Sequence, residues 1–214
     1  MIITICCEKG GSGKSSLAQA LAVYLNMKEK DVLLVDADPQ RTTGEWAEER
    51  NEKTDLIISC IEKTGNISNE LKDLDKRYQY IVVDCGGADS KAMRSSLSIS
   101  DIALLPFRPK RRDLKTSVKM AEIIETVQTI NSKIIVRSVI TQAPTLPSQW
   151  KRIDSAKKLL SSLNLNPLNS FTRNLNCWDD AEEDGLSIFE CKEDKKGLED
   201  ATCVFNELLG DLNV

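Results

Sequence analysis

The sequence contains no histidine, and aromatic side chains make up only 5% of it. Histidine is the commonest general base near neutral pH, so any catalysis must depend on carboxylates, lysines, water or a metal ion. No apolar run approaches the roughly 20 residues that a membrane-spanning helix needs. The start, MIITICC, lacks a basic leader and a cleavage site and is typical of a buried strand. These absences favour a cytoplasmic protein.

Cysteines are present, but their arrangement predicts neither disulfides nor a metal site. Their number, seven, is odd, and no C-x-x-C pair occurs. Without histidine, zinc would need a cysteine-only site, which these spacings do not support. We therefore predict free thiols that are mostly buried.

Charge is distributed unevenly along the chain. The formal net charge of −4 by itself disfavours a nucleic-acid-binding protein. Residues 108–119, however, carry six basic side chains and one acid, whereas residues 175–214 carry twelve acids and three bases. A surface polarised in this way could present a basic face to phosphates.

Short runs rich in isoleucine and valine alternate with helical patterns. They predict six strands, over residues 2–7, 31–36, 56–60, 80–84, 102–107 and 133–141. Apolar residues at helical spacing predict helices over 16–27, 114–130, 148–163 and 197–212. Near-continuous apolar strands separated by helices are typical of a parallel sheet covered on both faces. The expected fold is a single doubly wound α/β domain, residues 1–214, with a mostly parallel sheet.

The stretch CCEKGGSGKSS, residues 6–16, resembles a phosphate-binding loop between a strand and a helix. The glycines allow backbone N–H groups to turn towards phosphate oxygens, and the N-terminus of the following helix favours negative charge. Lys14 would reach the β- and γ-phosphates, and the Ser15 hydroxyl would bind Mg²⁺. The loop departs from the usual G-x-x-x-x-G-K-[ST] pattern, because Glu8 occupies the position of the first glycine and a second lysine, Lys9, follows it.

Two carboxylate motifs follow predicted strands, where α/β folds place their ligands. In YIVVDCGG, residues 80–87, Asp84 has the position of an aspartate that orients magnesium through water. In VDADPQ, residues 35–40, Asp36 and Asp38 come after the second strand. Each cluster alone could equally cap a helix or turn, but together with the glycine-rich loop they indicate a nucleotide site.

These motifs resemble those of the ParA/MinD family of ATPases, whose deviant Walker A loop reads K-G-G-x-G-K-[ST]. DADPQ is similar to the switch I segment of that family, VVDCGG to its switch II, and residues 172–190 to the segment before its last helix. The resemblance covers nearly the whole chain. Because its length leaves no room for an N-terminal helix-turn-helix domain, the chain resembles most the small plasmid-partition ParA proteins.

The resemblance implies a role for each motif residue. Lys9 would cross to the nucleotide of a second subunit and act as an arginine finger does, while Lys14 holds the subunit's own nucleotide. Asp38 would position the attacking water, and Asp36 would lie near the metal or shape the loop. The implied catalytic residues are Lys9, Lys14 and Asp38, and the implied metal-site residues are Ser15, Asp36, Asp38 and Asp84. The implied nucleotide-binding residues are Lys9, Gly10, Gly11, Ser12, Gly13, Lys14, Ser15, Ser16, Thr141 and Gln142.

The family further implies ATP and Mg²⁺ as cofactors and a homodimer with ATP between the subunits. Hydrolysis would be slow and stimulated by a small centromere-binding, ParB- or ParG-like protein, and the dimer would bind double-stranded DNA without sequence preference. Such a protein would be cytoplasmic, associated with the nucleoid and not bound to a membrane. Two basic clusters could contact DNA phosphates, namely Arg108, Lys110, Arg111 and Arg112, and Lys151, Arg152, Lys157 and Lys158. Each cluster could instead be a solvated helix face.

Other functions on the same scaffold remain open from the sequence. A MinD-like membrane switch would need a basic amphipathic tail, whereas this tail is acidic. A ligase of the dethiobiotin-synthetase type, or another small-molecule phosphotransferase, is disfavoured by Lys9 and by the absence of a second recognisable substrate pocket in the sequence. An electron-transfer ATPase would need paired cysteines near switch II, where only Cys85 stands. Arg41 stands after DADPQ where many members of the family have a glycine, and it could alter switch I or face solvent. The preference for ATP over GTP depends on the resemblance alone.

Overall fold

The centre of the fold is a seven-stranded parallel sheet. The computed structural model describes residues 1–191 and 195–210. Its strands are β1 (Ile2–Ile5), β2 (Val32–Ala37), β3 (Ser59–Glu62), β4 (Tyr80–Cys85), β5 (Ile102–Phe107), β6 (Ile135–Ala143) and β7 (Pro167–Arg173). Their order is β3-β2-β4-β1-β5-β6-β7, and every neighbouring pair is parallel. The predicted α/β fold is confirmed.

Helices connect the strands and cover both faces. They are α1 (Lys14–Asn26), α2 (Thr42–Lys53), α3 (Ser68–Leu74), α4 (Lys91–Leu97), α5 (Arg111–Leu114), α6 (Thr116–Ile130), α7 (Lys151–Ser162), α8 (Cys177–Glu183) and α9 (Lys195–Gly210). Over the described ranges, 1–191 and 195–210, none of them has the length and apolar character to cross a membrane.

Two hydrophobic cores lie on opposite faces of the sheet, because successive side chains of a strand point to opposite sides. In β2, Leu33 and Val35 belong to one core, whereas Val32 and Leu34 belong to the other. The first core is closed by α3, α4, α6 and α7, and the second by α1, α2 and α9. The continuous apolar runs of the sequence are thus strands buried on both faces.

All six predicted strands are present, although the third overlaps β3 only at residues 59 and 60, and the structure adds β7 at the sheet edge. The predicted helix 114–130 corresponds to α6, whereas the short α5 before it was not predicted, and the helix predicted over 148–163 begins three residues later as α7. The predicted tail helix corresponds to α9, with residues 211 and 212 outside the described residues. Helices α2, α3, α4 and α8 were not predicted.

The cysteines are all free thiols, as predicted. Cys6, Cys7, Cys85 and Cys177 are buried, two others are partly buried, and Cys203 is exposed. Burial raises the pKa of Cys85 to about 12, so its thiol stays protonated and behaves as a small apolar side chain.

The strand order places a crevice at the carboxyl end of β1. The connection from β1 to β2 runs over one face of the sheet, and the connection from β4 to β5 runs over the opposite face. Where connections leave in opposite directions, the loops separate and leave room for a ligand. The glycine-rich loop between β1 and α1 lies at this point.

Candidate nucleotide site

The glycine-rich loop has the backbone conformation of an anion cradle. Gly11 and Gly13 have positive φ values of 70° and 82°, which glycine adopts without strain. Gly13 is the N-cap of α1, so the free N–H groups of the first helical turn point into the loop. The Lys14 ammonium is buried in the same place and donates a hydrogen bond to the Lys9 carbonyl at 3.1 Å. Backbone donors, helix dipole and one lysine together favour a phosphate group.

A cleft of about 670 Å³ opens beside this loop. The segments after β2 and β4 form its other walls, so the structure brings together the three motifs that the sequence predicts. Its lining residues include Gly10, Gly11, Gly13, Lys14, Ser15, Ser16, Asp38, Gly86, Gly87 and Gln142.

Asp36 shapes the loop after β2. Its Oδ1 accepts a hydrogen bond from the Asp38 backbone N–H at 2.9 Å, and its Oδ2 accepts one from the Gly44 N–H at 2.7 Å. Burial raises its pKa, and these two hydrogen bonds oppose that rise. Since both oxygens have backbone partners, the geometry favours the loop-shaping role over the metal-binding one.

Asp84 lies opposite Asp36 in the β2–β4 register. Its Oδ2 accepts a hydrogen bond from the Thr43 hydroxyl at 2.7 Å. Within the described ranges its buried Oδ1 has no hydrogen-bond partner. Burial raises the pKa of Asp84 to about 7, although the nearby Thr43 and Ser15 hydroxyls oppose this.

An unpartnered carboxylate oxygen beside a phosphate cradle fits a magnesium site. Mg²⁺ usually keeps several water ligands and takes few from the protein, the phosphates supplying others. Ser15 and Asp84 suit that pattern. In the part of the chain that the structure describes, no group of three or more Cys, Asp or Glu side chains could hold a metal without such help.

Asp38 lies at the edge of the cleft, next to the segment after β4. Its Oδ1 accepts a hydrogen bond from the Gln40 N–H at 3.0 Å. A Cβ atom on Gly86 would come within 3.1 Å of the Asp38 carboxyl, and one on Gly87 within 2.9 Å of the Gly10 nitrogen. The two glycines therefore allow the three loops to approach one another closely.

Thr141 and Gln142, at the end of β6, support the phosphate loop from the other side. The Thr141 hydroxyl donates a hydrogen bond to the Ser12 carbonyl at 2.8 Å, and the Gln142 amide donates one to the Gly11 carbonyl at 3.1 Å. Both residues also line a narrow pocket of about 100 Å³ that continues from the cleft towards Trp178 and Asp179.

Lys9 points away from its own phosphate cradle. Its ammonium forms an ion pair with the buried Asp113 carboxylate of α5, which Arg108 also contacts at 2.6 Å. Burial by itself would raise the pKa of Asp113, but the two cations lower it below its ordinary value. The neighbouring Glu8 pairs with Lys119 of α6. Glu8 and Lys9, the two residues that depart from the usual loop pattern, therefore both form ion pairs with the segment α5–α6.

Sequence reasoning missed several residues around the site. Thr43 donates a hydrogen bond to Asp84, and Asp113 forms the ion pair with Lys9. Glu182 of α8 accepts a hydrogen bond from the Ser16 hydroxyl at 2.9 Å. The only signal for Glu182 and Trp178 was the resemblance of residues 172–190 to the family, which assigned no role to either. Arg41 follows the DADPQ segment, is exposed and pairs with Glu62 at 2.5 Å.

The chain is similar to known nucleotide-binding proteins. The profile described as the CobQ/CobB/MinD/ParA nucleotide binding domain matches residues 3–213. The Maintenance of carboxysome distribution protein A of Gloeobacter kilaueensis is 30% identical over 192 residues, 88% of this chain and 84% of that protein. Protein ParA of Rhizobium radiobacter is 28% identical over 141 residues, 65% of this chain, and the match spans 64% of that protein's length.

A solved structure has the same fold. The putative plasmid partition protein from Borrelia burgdorferi bound to AMPPNP superposes with a TM-score of 0.74 at 18% identity, over 98% of each chain. With the P-loop, the two carboxylate segments and the match over residues 3–213, the chain belongs to the CobQ/CobB/MinD/ParA family of nucleotide-binding proteins and has its P-loop ATPase fold.

Proposed function

We propose that this protein is a slow, Mg²⁺-dependent ATPase, a single P-loop domain that dimerises around ATP and partitions DNA. The observation that carries the proposal is the direction of Lys9. Its ammonium lies at Asp113, outside its own cradle, and its side chain is one-third exposed. A lysine placed there is available to a nucleotide bound by a second subunit.

Each residue of the site would contribute to hydrolysis in a distinct way. The loop N–H groups, Ser12, Ser16 and Lys14 would hold the phosphates of the subunit's own ATP. Ser15 and Asp84 would hold Mg²⁺, which neutralises charge on the β- and γ-phosphates. Asp38, at the open side of the cleft, would orient the attacking water.

Lys9 of the other subunit would then complete the site. A cation that reaches the transferred phosphoryl group stabilises the charge that develops there. Before it can do so, Lys9 must leave the Asp113 carboxylate. Hydrolysis is therefore slow until dimerisation, and a small centromere-binding partner would accelerate it further. In the narrow pocket beyond Gln142, Trp178 would face the adenine base.

The DNA-binding part of the proposal depends on the exposed cations. Two of the eight predicted side chains are engaged within the chain, because Arg108 pairs with Asp113, and Lys157 contacts the Asn169 carbonyl and the Phe171 ring. The other six are exposed, namely Lys110, Arg111, Arg112, Lys151, Arg152 and Lys158. Dimerisation would double this surface, so DNA affinity should require ATP and fall steeply with salt. Such a protein would be associated with the nucleoid.

The test compares wild type with Lys9→Ala and Lys14→Ala. Lys14→Ala should lose ATP binding, dimerisation and DNA binding together. Lys9→Ala should keep ATP binding but lose at least about 100-fold in partner-stimulated hydrolysis, as removal of a trans cation typically does. Sedimentation, filter binding to a DNA duplex and phosphate release measure the three steps. Normal stimulated hydrolysis in Lys9→Ala would refute the role of Lys9, and nucleotide-independent DNA binding would refute the switch.

A second cargo is favoured by one comparison. A relative that matches 88% of this chain is named for carboxysome distribution. The same ATP-dependent cycle on DNA could distribute a protein body in place of a plasmid. Fluorescent tagging in the native host distinguishes them, because deletion of the gene would disperse either plasmid foci or protein-body foci.

A further inference from the structure

A groove between α5, the start of α6 and α7 is separate from the nucleotide cleft. Its volume is about 620 Å³. The floor is apolar and consists of Pro109, Leu114, Val118 and Leu159. Val118 and Leu159 keep 49% and 38% of their surface exposed, although both lie on helices whose other faces pack in the core. Large apolar side chains left open side by side often mark a contact surface.

Four cations border this floor, namely Arg111, Lys115, Lys151 and Arg152. Within residues 1–191 and 195–210, none of the four forms an ion pair. The groove lining contains no acidic side chain. The basic clusters on α5–α6 and on α7, which are separate in the sequence, therefore face each other across an apolar floor.

We propose that this groove is the docking site for an acidic, amphipathic helix of a partner protein. Apolar residues spaced three and four apart on such a helix would fill the floor, as in other helix-in-groove contacts. Acidic residues on either side of that stripe would meet the four unpaired cations and fix the direction of binding. Three of these cations, Arg111, Lys151 and Arg152, also belong to the proposed DNA surface, but duplex DNA would leave the apolar floor unfilled, so a protein segment satisfies more of the groove.

The groove is close to the residue that holds Lys9. Arg111 and Leu114 line the groove, whereas Asp113 of the same four-residue helix α5 forms the ion pair with Lys9. A helix docked on Leu114 would contact the helical turn that restrains Lys9. The site is thus suited to a regulatory partner.

The experiment uses the nucleotide-free protein and phage-displayed random peptides. Peptides selected on wild type are synthesised with a fluorophore, and their binding is followed by anisotropy. The selected sequences should combine Asp or Glu with Leu, Ile or Phe at helical spacing, and their affinity should weaken with salt. Val118→Asp and Leu159→Asp, tested separately, should each weaken binding by about tenfold or more, as loss of a buried anchor does.

Ile57→Asp is the matched control, because Ile57 is also an exposed apolar residue but lies next to β3, at the opposite edge of the sheet. It should bind the peptides as wild type does. Thermal unfolding checks that each variant is folded, and since both groove substitutions are at exposed helix positions, one folded variant is sufficient. These binding measurements need neither ATP nor DNA, so they can fail while the proposed ATPase cycle stands.

Three results would overturn the docking proposal. The first is selection of basic peptides, or of peptides that bind Val118→Asp and Leu159→Asp as well as wild type. The second is a loss of duplex DNA affinity in the uncharged variants Val118→Ser and Leu159→Ser equal to that of Arg152→Ala, which would show that DNA itself contacts the apolar floor. The third is loss of ATP-dependent dimerisation in both variants, which would show that a second copy of the chain covers the groove.

Discussion

Replacing Asp84 by Asn should stabilise the nucleotide-free protein at neutral and alkaline pH. Asp84 is buried next to Asp36, and burial raises its pKa from 3.8 to about 7. The folded state therefore holds this proton to higher pH than the unfolded state does. By linkage, the contribution of Asp84 to stability falls as pH rises from about 4 to about 7 and is then constant. Asn cannot ionise, so its contribution does not change over this range.

The size of the effect follows from the pKa shift. One pKa unit corresponds to about 1.4 kcal/mol, so the shift of Asp84 sets an upper limit of roughly 4 kcal/mol. We expect Asp84→Asn to be more stable than wild type by about 1–4 kcal/mol at pH 8, and the difference to shrink towards zero at pH 4. The variant should also bind Mg²⁺-ATP more weakly, since Asp84 is the proposed magnesium-site carboxylate.

Urea unfolding with reductant and EDTA, at intervals from pH 4 to pH 8, measures this difference. Asp73→Asn is the control, because Asp73 is exposed and its pKa is lowered by Lys76. That substitution should change stability little and in the opposite direction. A difference between wild type and Asp84→Asn that does not depend on pH, or a wild type that is the more stable at pH 8, would refute the reasoning.

Three other substitutions test the packing of the site and its surroundings. Gly87→Ala should weaken nucleotide binding at least about tenfold in a titration, because its Cβ would lie 2.9 Å from the Gly10 backbone nitrogen. Asp113→Asn should lower the free energy of unfolding by about 1–3 kcal/mol in urea, since it leaves two cations without their shared carboxylate. Glu190→Ala should cost about 3–5 kcal/mol because it leaves the fully buried Arg50 guanidinium unpaired. Unchanged stability in either of the last two would contradict the ion pairs described.

The sheet was predictable because its central strands are nearly continuous apolar runs. Helix α2 was not predictable from the sequence, because only Trp46 and Ala47 are apolar on its buried face. Arg50 occupies the same face and is neutralised by Glu190, which lies 140 residues away in sequence. Strand β7 begins with Pro167, pairs on one side only and has just two buried residues, Leu168 and Thr172, so its sequence resembles that of a loop.

The motifs of the site were predictable for a different reason. The phosphate loop and the two carboxylate segments are local patterns at the ends of strands, and the fold brings them to one cleft. The contact between Lys9 and Asp113 spans 104 residues, and each charge alone is indistinguishable from a solvated one. Similarly, the sequence has no pattern that places α7 beside α5, although this neighbourhood forms the docking groove.

The central claim is that Lys9 acts on the nucleotide of the other subunit, and mixing two inactive variants tests it most directly. In a heterodimer of Lys9→Ala and Asp38→Ala, the site of the first subunit keeps its own Asp38 and receives Lys9 from the second. The account predicts that the 1:1 mixture regains up to about a quarter of the stimulated wild-type ATPase rate, since about half of the dimers are mixed and each has one complete site. A mixture as inactive as the separate variants, with mixed dimers verified by sedimentation, would contradict it.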